Sequence, residues 1–131
     1  MPDLTAVSHV ALTVTDLDRS VAWYTAVLGF AVVMPTDVPG LRRMLLGYPG
    51  SDVYVALTQH DGVNGAAFDE RATGLDHLAF TVTNRDELGR WAAHLAANGV
   101  TASPIDDSPN GSVLVFRDPD NVQLELAVRA G

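Results

Sequence analysis

His9-Val10-Ala11-Leu12-Thr13-Val14-Thr15 and His77-Leu78-Ala79-Phe80-Thr81-Val82-Thr83 are near copies of each other, with five of the seven positions identical and the other two apolar in both. A helix-like segment follows each copy, and Asp18 and Trp23 recur at the same offset as Asp86 and Trp91. Repetition at this spacing marks two copies of one supersecondary unit. Each unit carries a histidine at the same place on its first strand, so duplication supplies two imidazoles in equivalent settings.

The flanking pattern extends each copy into the same order of elements. Val10, Leu12 and Val14 alternate with His9, Ala11 and Thr13, as a strand over 8–14 requires. Asp16 or Asp18 can cap a helix over about 18–28, with Val21, Trp23, Tyr24, Val27 and Leu28 on its buried face and Gly29 at its end. Strands are expected at about 30–34, 41–47 and 53–58, broken at Pro35, Pro39-Gly40 and Tyr48-Pro49-Gly50-Ser51. The second half repeats this with a strand over 75–83, a helix over about 85–98 closed by Asn98-Gly99, and strands at 100–105, 112–117 and 122–128. Pro119 suits position i+1 of a tight turn before the last strand. Both halves read βαβββ, an α+β fold of two tandem modules, about 7–60 and about 75–128, in a single 131-residue domain. The segment between them, about 61–74, is polar and contains Gly62, Gly65 and Gly74. It reads as a linker rather than as a loop covering a site.

Composition narrows the function classes. The formal net charge is −8, which argues against nucleic acid and anionic membrane as partners. The chain has no cysteine, so disulfides and thiolate metal sites are excluded. No run of about 18 apolar residues is available to span a bilayer, and the N-terminus lacks a signal-peptide pattern, so a cytoplasmic location is expected.

Strand alternation also gathers candidate ligands. His9 and His77 lie opposite the strongly apolar positions of their strands. On the last strand Val122, Leu124 and Leu126 form the apolar face, which leaves Glu125 on the side of the histidines. A carboxylate between two leucines is costly to bury without compensation. Two imidazoles and one carboxylate make a facial triad for Fe²⁺, Mn²⁺, Zn²⁺ or Ni²⁺, with positions left open for substrate. His94 lies mid-helix, and Trp23 and Trp91 are expected to pack the helices onto the sheet. No glycine-rich phosphate loop and no Ser-His-Asp arrangement is present.

These stretches carry a family resemblance: Ser8-His9-Val10-Ala11-Leu12-Thr13-Val14, then Ser20-Val21-Ala22-Trp23-Tyr24 and Leu28-Gly29-Phe30, then Asp76-His77-Leu78-Ala79-Phe80. Phe116-Arg117-Asp118-Pro119-Asp120-Asn121-Val122-Gln123-Leu124-Glu125-Leu126 completes the set and is its most specific part. The chain resembles the vicinal oxygen chelate superfamily, also called the glyoxalase/bleomycin resistance/dioxygenase superfamily, over nearly its whole length. The resemblance implies an open, curved mixed sheet with helices outside and one divalent metal, held here by His9, His77 and Glu125. It also implies a small-molecule substrate and a homodimer, with the site either within one chain or shared across the dimer.

Ala56 falls where the family's fourth ligand would lie, unless Gln59 or His60 reaches the metal through a bulge. The lack of a carboxylate there disfavours a literal glyoxalase I proton shuttle. A three-ligand shell resembles extradiol dioxygenases, for which His60, Tyr48 and Tyr54 are the candidate acid–base residues. It also resembles fosfomycin-modifying thiol transferases, for which Arg42, Arg43 and Arg117 are the candidate anion contacts. The expected function is metal-dependent catalysis (lyase/isomerase, ring-cleaving dioxygenase or thiol transferase) on a small oxygen-chelating substrate. The alternative implied by the same resemblance is a non-catalytic, antibiotic-sequestering resistance protein.

Overall fold

A computed structural model describes residues 1–131, which form two compact units, Met1–Ala66 and Ala67–Gly131. The first runs β1 (Val10–Thr13), α1 (Leu17–Trp23), a single π turn (Tyr24–Leu28), β2 (Ala31–Val38), β3 (Leu41–Gly47) and β4 (Tyr54–His60). The second runs β5 (Leu78–Thr81), α2 (Arg85–Ala97), β6 (Asp106–Ser108), β7 (Gly111–Arg117) and β8 (Gln123–Arg129). Each unit is βαβββ and holds one four-stranded mixed sheet, ordered β1-β4-β3-β2 in the first and β5-β8-β7-β6 in the second. In both, the first strand pairs parallel with the last and the remaining pairs are antiparallel.

Local chemistry sets the helix boundaries. Asp16, in extended backbone, caps α1 by accepting from the Arg19 N–H at 3.1 Å, and Asn84 caps α2 by accepting from Glu87 N–H at 2.9 Å. Such caps contribute about 1 kcal/mol each. Gly29 ends the π turn at φ +86°, a left-handed conformation that suits glycine.

Each helix covers one face of its own sheet. In the first unit α1 and the π turn pack Leu17, Tyr24, Val27 and Leu28 with Leu12, Val14, Leu46, Val55 and Leu57, all buried. In the second, Leu88 and Leu95 of α2 join Leu114, Phe116, Leu124 and Leu126. The opposite parity, His9, Ala11 and Thr13 with Ala56 and Thr58, and His77 and Ala79 with Gln123 and Glu125, lies away from the helices.

Three elements differ from expectation. The strand expected to break at Pro35 runs through it to Val38, with Pro35 opposite Met44, because β2 is an edge strand where a missing N–H is tolerated. The strand expected at 100–105 is irregular: Ala102 makes one isolated bridge to Phe116, and the Ser103 hydroxyl accepts from Val115 N–H. Pro104 cannot donate to a ladder, so regular pairing begins only at Asp106. The segment expected as a linker is partly structured. Phe68 N–H donates to Asp120 C=O at 2.8 Å and Asn121 Nδ2 donates to Phe68 C=O at 2.9 Å, which pins residues 67–70 to the second unit.

Candidate metal centre

The Asp118–Asn121 turn launches β8 and so sets the height of Glu125. Asn121 N–H donates to Asp118 C=O at 3.0 Å with Pro119 at position i+1, as the sequence predicts. The Asp118 carboxylate, only 6% exposed, accepts from Asp120 N–H at 2.9 Å and Val122 N–H at 2.8 Å. Asn121 takes a left-handed φ of 68°, which its short polar side chain tolerates. The turn is thus closed by its own side chains before the strand begins.

Register then places Glu125 beside the histidine strand. Ala79 pairs with Glu125 and Leu78 with Leu124. Glu125 Oε2 lies 3.2 Å from His77 Nε2. The other imidazole nitrogen, Nδ1, lies 2.6 Å from Asp76 Oδ1. The hydrogen bond to Asp76 raises the His77 pKa above its ordinary value; desolvation opposes this, and the charges of Glu125 and Asp76 add to it. In the first unit the Ser8 hydroxyl stands 3.0 Å from His9 Nδ1. Both histidines therefore have Nδ1 held by the preceding side chain, which leaves Nε2 as the natural ligand atom.

Glu125 is also braced from its own strand. Gln123 Nε2 donates to Glu125 Oε2 at 3.1 Å, and Arg117 Nη2 donates to Gln123 Oε1 at 3.1 Å. Arg117 is in turn clamped by Glu70, with Nη1 and Nη2 donating to the carboxylate at 3.1 and 3.0 Å. That guanidinium holds the Glu70 carboxyl well below the usual range, at about 2. A chain of contacts thus runs from residue 70 through Arg117 and Gln123 to Glu125 and His77. Sequence reading missed Glu70, because the segment around it carries no strand or helix pattern.

The donor set suits a divalent ion. Two ligands of one ion, bonded at about 2.1 Å and about 90° apart, stand roughly 3 Å from each other. The His77–Glu125 separation has that size. No group of three or more His, Asp or Glu side chains stands together as a complete ion cage.

Other sequence candidates fall on different faces. Gln59 Oε1 accepts from Leu17 N–H at 2.8 Å, at the start of α1. It therefore faces the helix, and β4 pairs regularly without the bulge that would let it replace a fourth ligand. His60 ends β4 opposite Leu41, four residues from Ala56 and about 13 Å along the strand. Tyr48 packs edge-on against Phe30 at 5.2 Å and is spent on the core. Tyr54 shares the parity of Ala56 and is 37% exposed. Arg42 pairs with Asp18 and Asp37 at 3.5 and 3.7 Å, whereas Arg43, its neighbour, lies on the opposite face. Arg117 is engaged with Glu70 and Gln123 rather than free for an anion.

This architecture has known counterparts. Residues 6–126 match the Glyoxalase/Bleomycin resistance protein/Dioxygenase superfamily, and the chain belongs to it. A glyoxylase/bleomycin resistance protein/dioxygenase domain from Frankia sp. EAN1pec is 37% identical with a TM-score of 0.91, covering 98% of this chain and 100% of that one. Catechol-2,3-dioxygenase of Bacillus subtilis is 31% identical over 93% of this chain and 41% of its own length. Lactoylglutathione lyase GLX1 of Arabidopsis thaliana is 31% identical over 92% of this chain and 43% of its own. The chain therefore spans under half the length of these two enzymes. The fold alone is shared with the fosfomycin resistance protein FosX of Listeria monocytogenes, solved as a point mutant complexed with Mn(II) and 1S,2S-dihydroxypropylphosphonic acid. It is 18% identical, with a TM-score of 0.71 over 98% of this chain and 93% of that one. No helix is long and apolar enough to cross a membrane.

Proposed function

We propose that this protein holds a divalent ion, Fe, Mn, Zn or Ni, through His9, His77 and Glu125, from one chain or shared across a dimer, for catalysis on a small oxygen-chelating substrate. The observation that carries this reading is the His77–Glu125 pair, with ligand atoms 3.2 Å apart and the distal imidazole nitrogen tied to Asp76. A bound ion supplies Lewis acidity toward a substrate oxygen. The chain's own residues do the positioning. Asp76 holds the proton at Nδ1 of His77, which leaves Nε2, standing against Glu125, as the nitrogen for an ion. Ser8 does the same for His9 without adding charge. Gln123 fixes the rotamer of Glu125. Ala56 contributes no donor where a fourth ligand would stand, which leaves that position to substrate oxygens. Tyr54 is the candidate acid–base group on the open face of the first unit.

The reading extends to a cytoplasmic homodimer. Val32, Val33, Met34 and Val38 along the outer strand β2 are each half exposed, and an apolar sheet edge of this kind is commonly covered by a partner. The net charge of −8 opposes a nucleic-acid partner.

Titration of chelator-stripped protein with Mn²⁺, Co²⁺, Ni²⁺ and Zn²⁺ tests the proposal. One ion per chain is expected, with affinity reduced at least about a hundredfold by His77→Ala or Glu125→Ala. No stoichiometric binding, together with tight binding of a large aromatic drug, would instead support sequestration.

A further inference from the structure

Arg43 is a cation without a matching anion in a chain rich in acid. Sixteen Asp and Glu face eight basic residues, all arginine. Arg42, Arg71, Arg85, Arg90 and Arg117 each pair with a carboxylate within 4.0 Å. Arg43 has no such partner. Its Nε donates instead to the Thr58 hydroxyl at 2.8 Å. Thr58 is 2% exposed, so the hydroxyl is a fixed post, and Arg43 itself is half-buried.

The sheet register gives this pair a setting. Thr13, Thr58, Arg43 and Thr36 stand side by side across β1, β4, β3 and β2. They share the face of Ala56, opposite α1. The neighbouring row on that face is Ala11, Ala56, Leu45 and Met34, which is apolar. A guanidinium partly withdrawn from water beside apolar side chains attracts a counter-ion more strongly than one in bulk water. With Nε occupied by Thr58, the two terminal nitrogens keep four N–H donors, a fork that matches two oxygens of a carboxylate or phosphonate.

We propose that Arg43, steadied by Thr58, is an anion subsite that takes the acid group of the substrate. This rests on the metal-centred reading and adds a substrate class to it: a small acid with chelating oxygens at one end and a carboxylate or phosphonate at the other. His9 lies four residues along the strand direction and two strands across from Arg43, about 13 Å by about 10 Å between backbones, so a molecule engaging both has a spacer of several atoms. Arg42 serves as an internal control, since it is adjacent in sequence, on the opposite face, and already paired with Asp18 and Asp37.

The test titrates the full-length chain calorimetrically with succinate and with methylphosphonate, before and after one equivalent of Mn²⁺. Binding of either probe is expected, weakened at least about tenfold in Arg43→Gln, weakened also in Thr58→Val, and retained in Arg42→Gln. The tighter probe identifies the acid as carboxylate or phosphonate. Arg43→Gln that binds like the parent protein, equal loss in Arg42→Gln, or no binding of either probe overturns the subsite. Should Arg43→Gln fail to fold, Thr58→Val and Arg43→Lys decide, with loss in both upholding the subsite and loss in neither overturning it. Arg43-dependent binding in a chain that takes up no Mn²⁺ upholds the anion subsite and removes the metal reading, so the two failures are distinguishable.

Discussion

Ala56 and Glu125 hold the same place in two copies of one sheet: Ala56 pairs with Ala11, two residues after His9, and Glu125 pairs with Ala79, two residues after His77. Duplication built two equivalent positions, and only the second carries a carboxylate.

Ala56→Glu restores the symmetric donor. Position 56 is 2% exposed, so an uncompensated carboxylate there destabilises the metal-free protein by about 1–3 kcal/mol. Thermal melts are expected to show a lower Tm without metal and a larger Mn²⁺-induced rise than in the parent chain. An unchanged Mn²⁺ response would place position 56 away from the ion.

Gln123→Ala removes the group that bridges Arg117 and Glu125. Losses of a group that orients a ligand typically weaken metal affinity about 10–100-fold. The expected readout is weaker Co²⁺ binding with an altered visible absorption spectrum, at nearly unchanged thermal stability. Equal Co²⁺ affinity in variant and parent would show that Glu125 is oriented without its neighbour.

Glu70 gives a pH signature. Its carboxyl is depressed to about 2 by Arg117, so the folded state favours its ionised form. Its contribution is present above the ordinary value of 4.5 and is lost as pH falls toward about 2. Glu70→Gln should therefore flatten the acid limb of a Tm-against-pH curve between about pH 5 and 2 and change little at neutral pH. Because the pair is exposed, the effect is expected to be small.

Gly111 opens β7 at φ +132°, and a Cβ there would collide with the Val128 carbonyl oxygen. Gly111→Ala forces the β7–β8 ladder apart at its end, with a loss of about 2–4 kcal/mol in urea unfolding. Wild-type stability in this variant would mean that the strand end relaxes freely.

Much of this was readable from residue order, because the signals were periodic and local. Alternation around His9 and His77 gave the strand parity, Gly29 gave the helix end, and Asp118-Pro119-Asp120-Asn121 gave a turn. The equivalence of Ala56 and Glu125 followed from laying one half on the other. What escaped lay in side-chain direction and in tertiary ties. Gln59 could reach the open face only through a bulge, and its contact with Leu17 N–H shows that it serves the helix start instead. Residues 100–105 are apolar enough for a strand, but Pro104 denies them a ladder. Neither the bond from Phe68 to Asp120 nor the clamp of Glu70 on Arg117 has any pattern in one dimension.

That tether redraws where the second unit starts. Its first stabilising contact is made at Phe68, ten residues before β5 begins at Leu78. A fragment cut at Leu75 would leave Arg117 without its carboxylate partner and the turn at residue 120 without its backbone donor. Cleavage or permutation is best tolerated between residues 61 and 66, where the chain passes from one self-bonded body to the next.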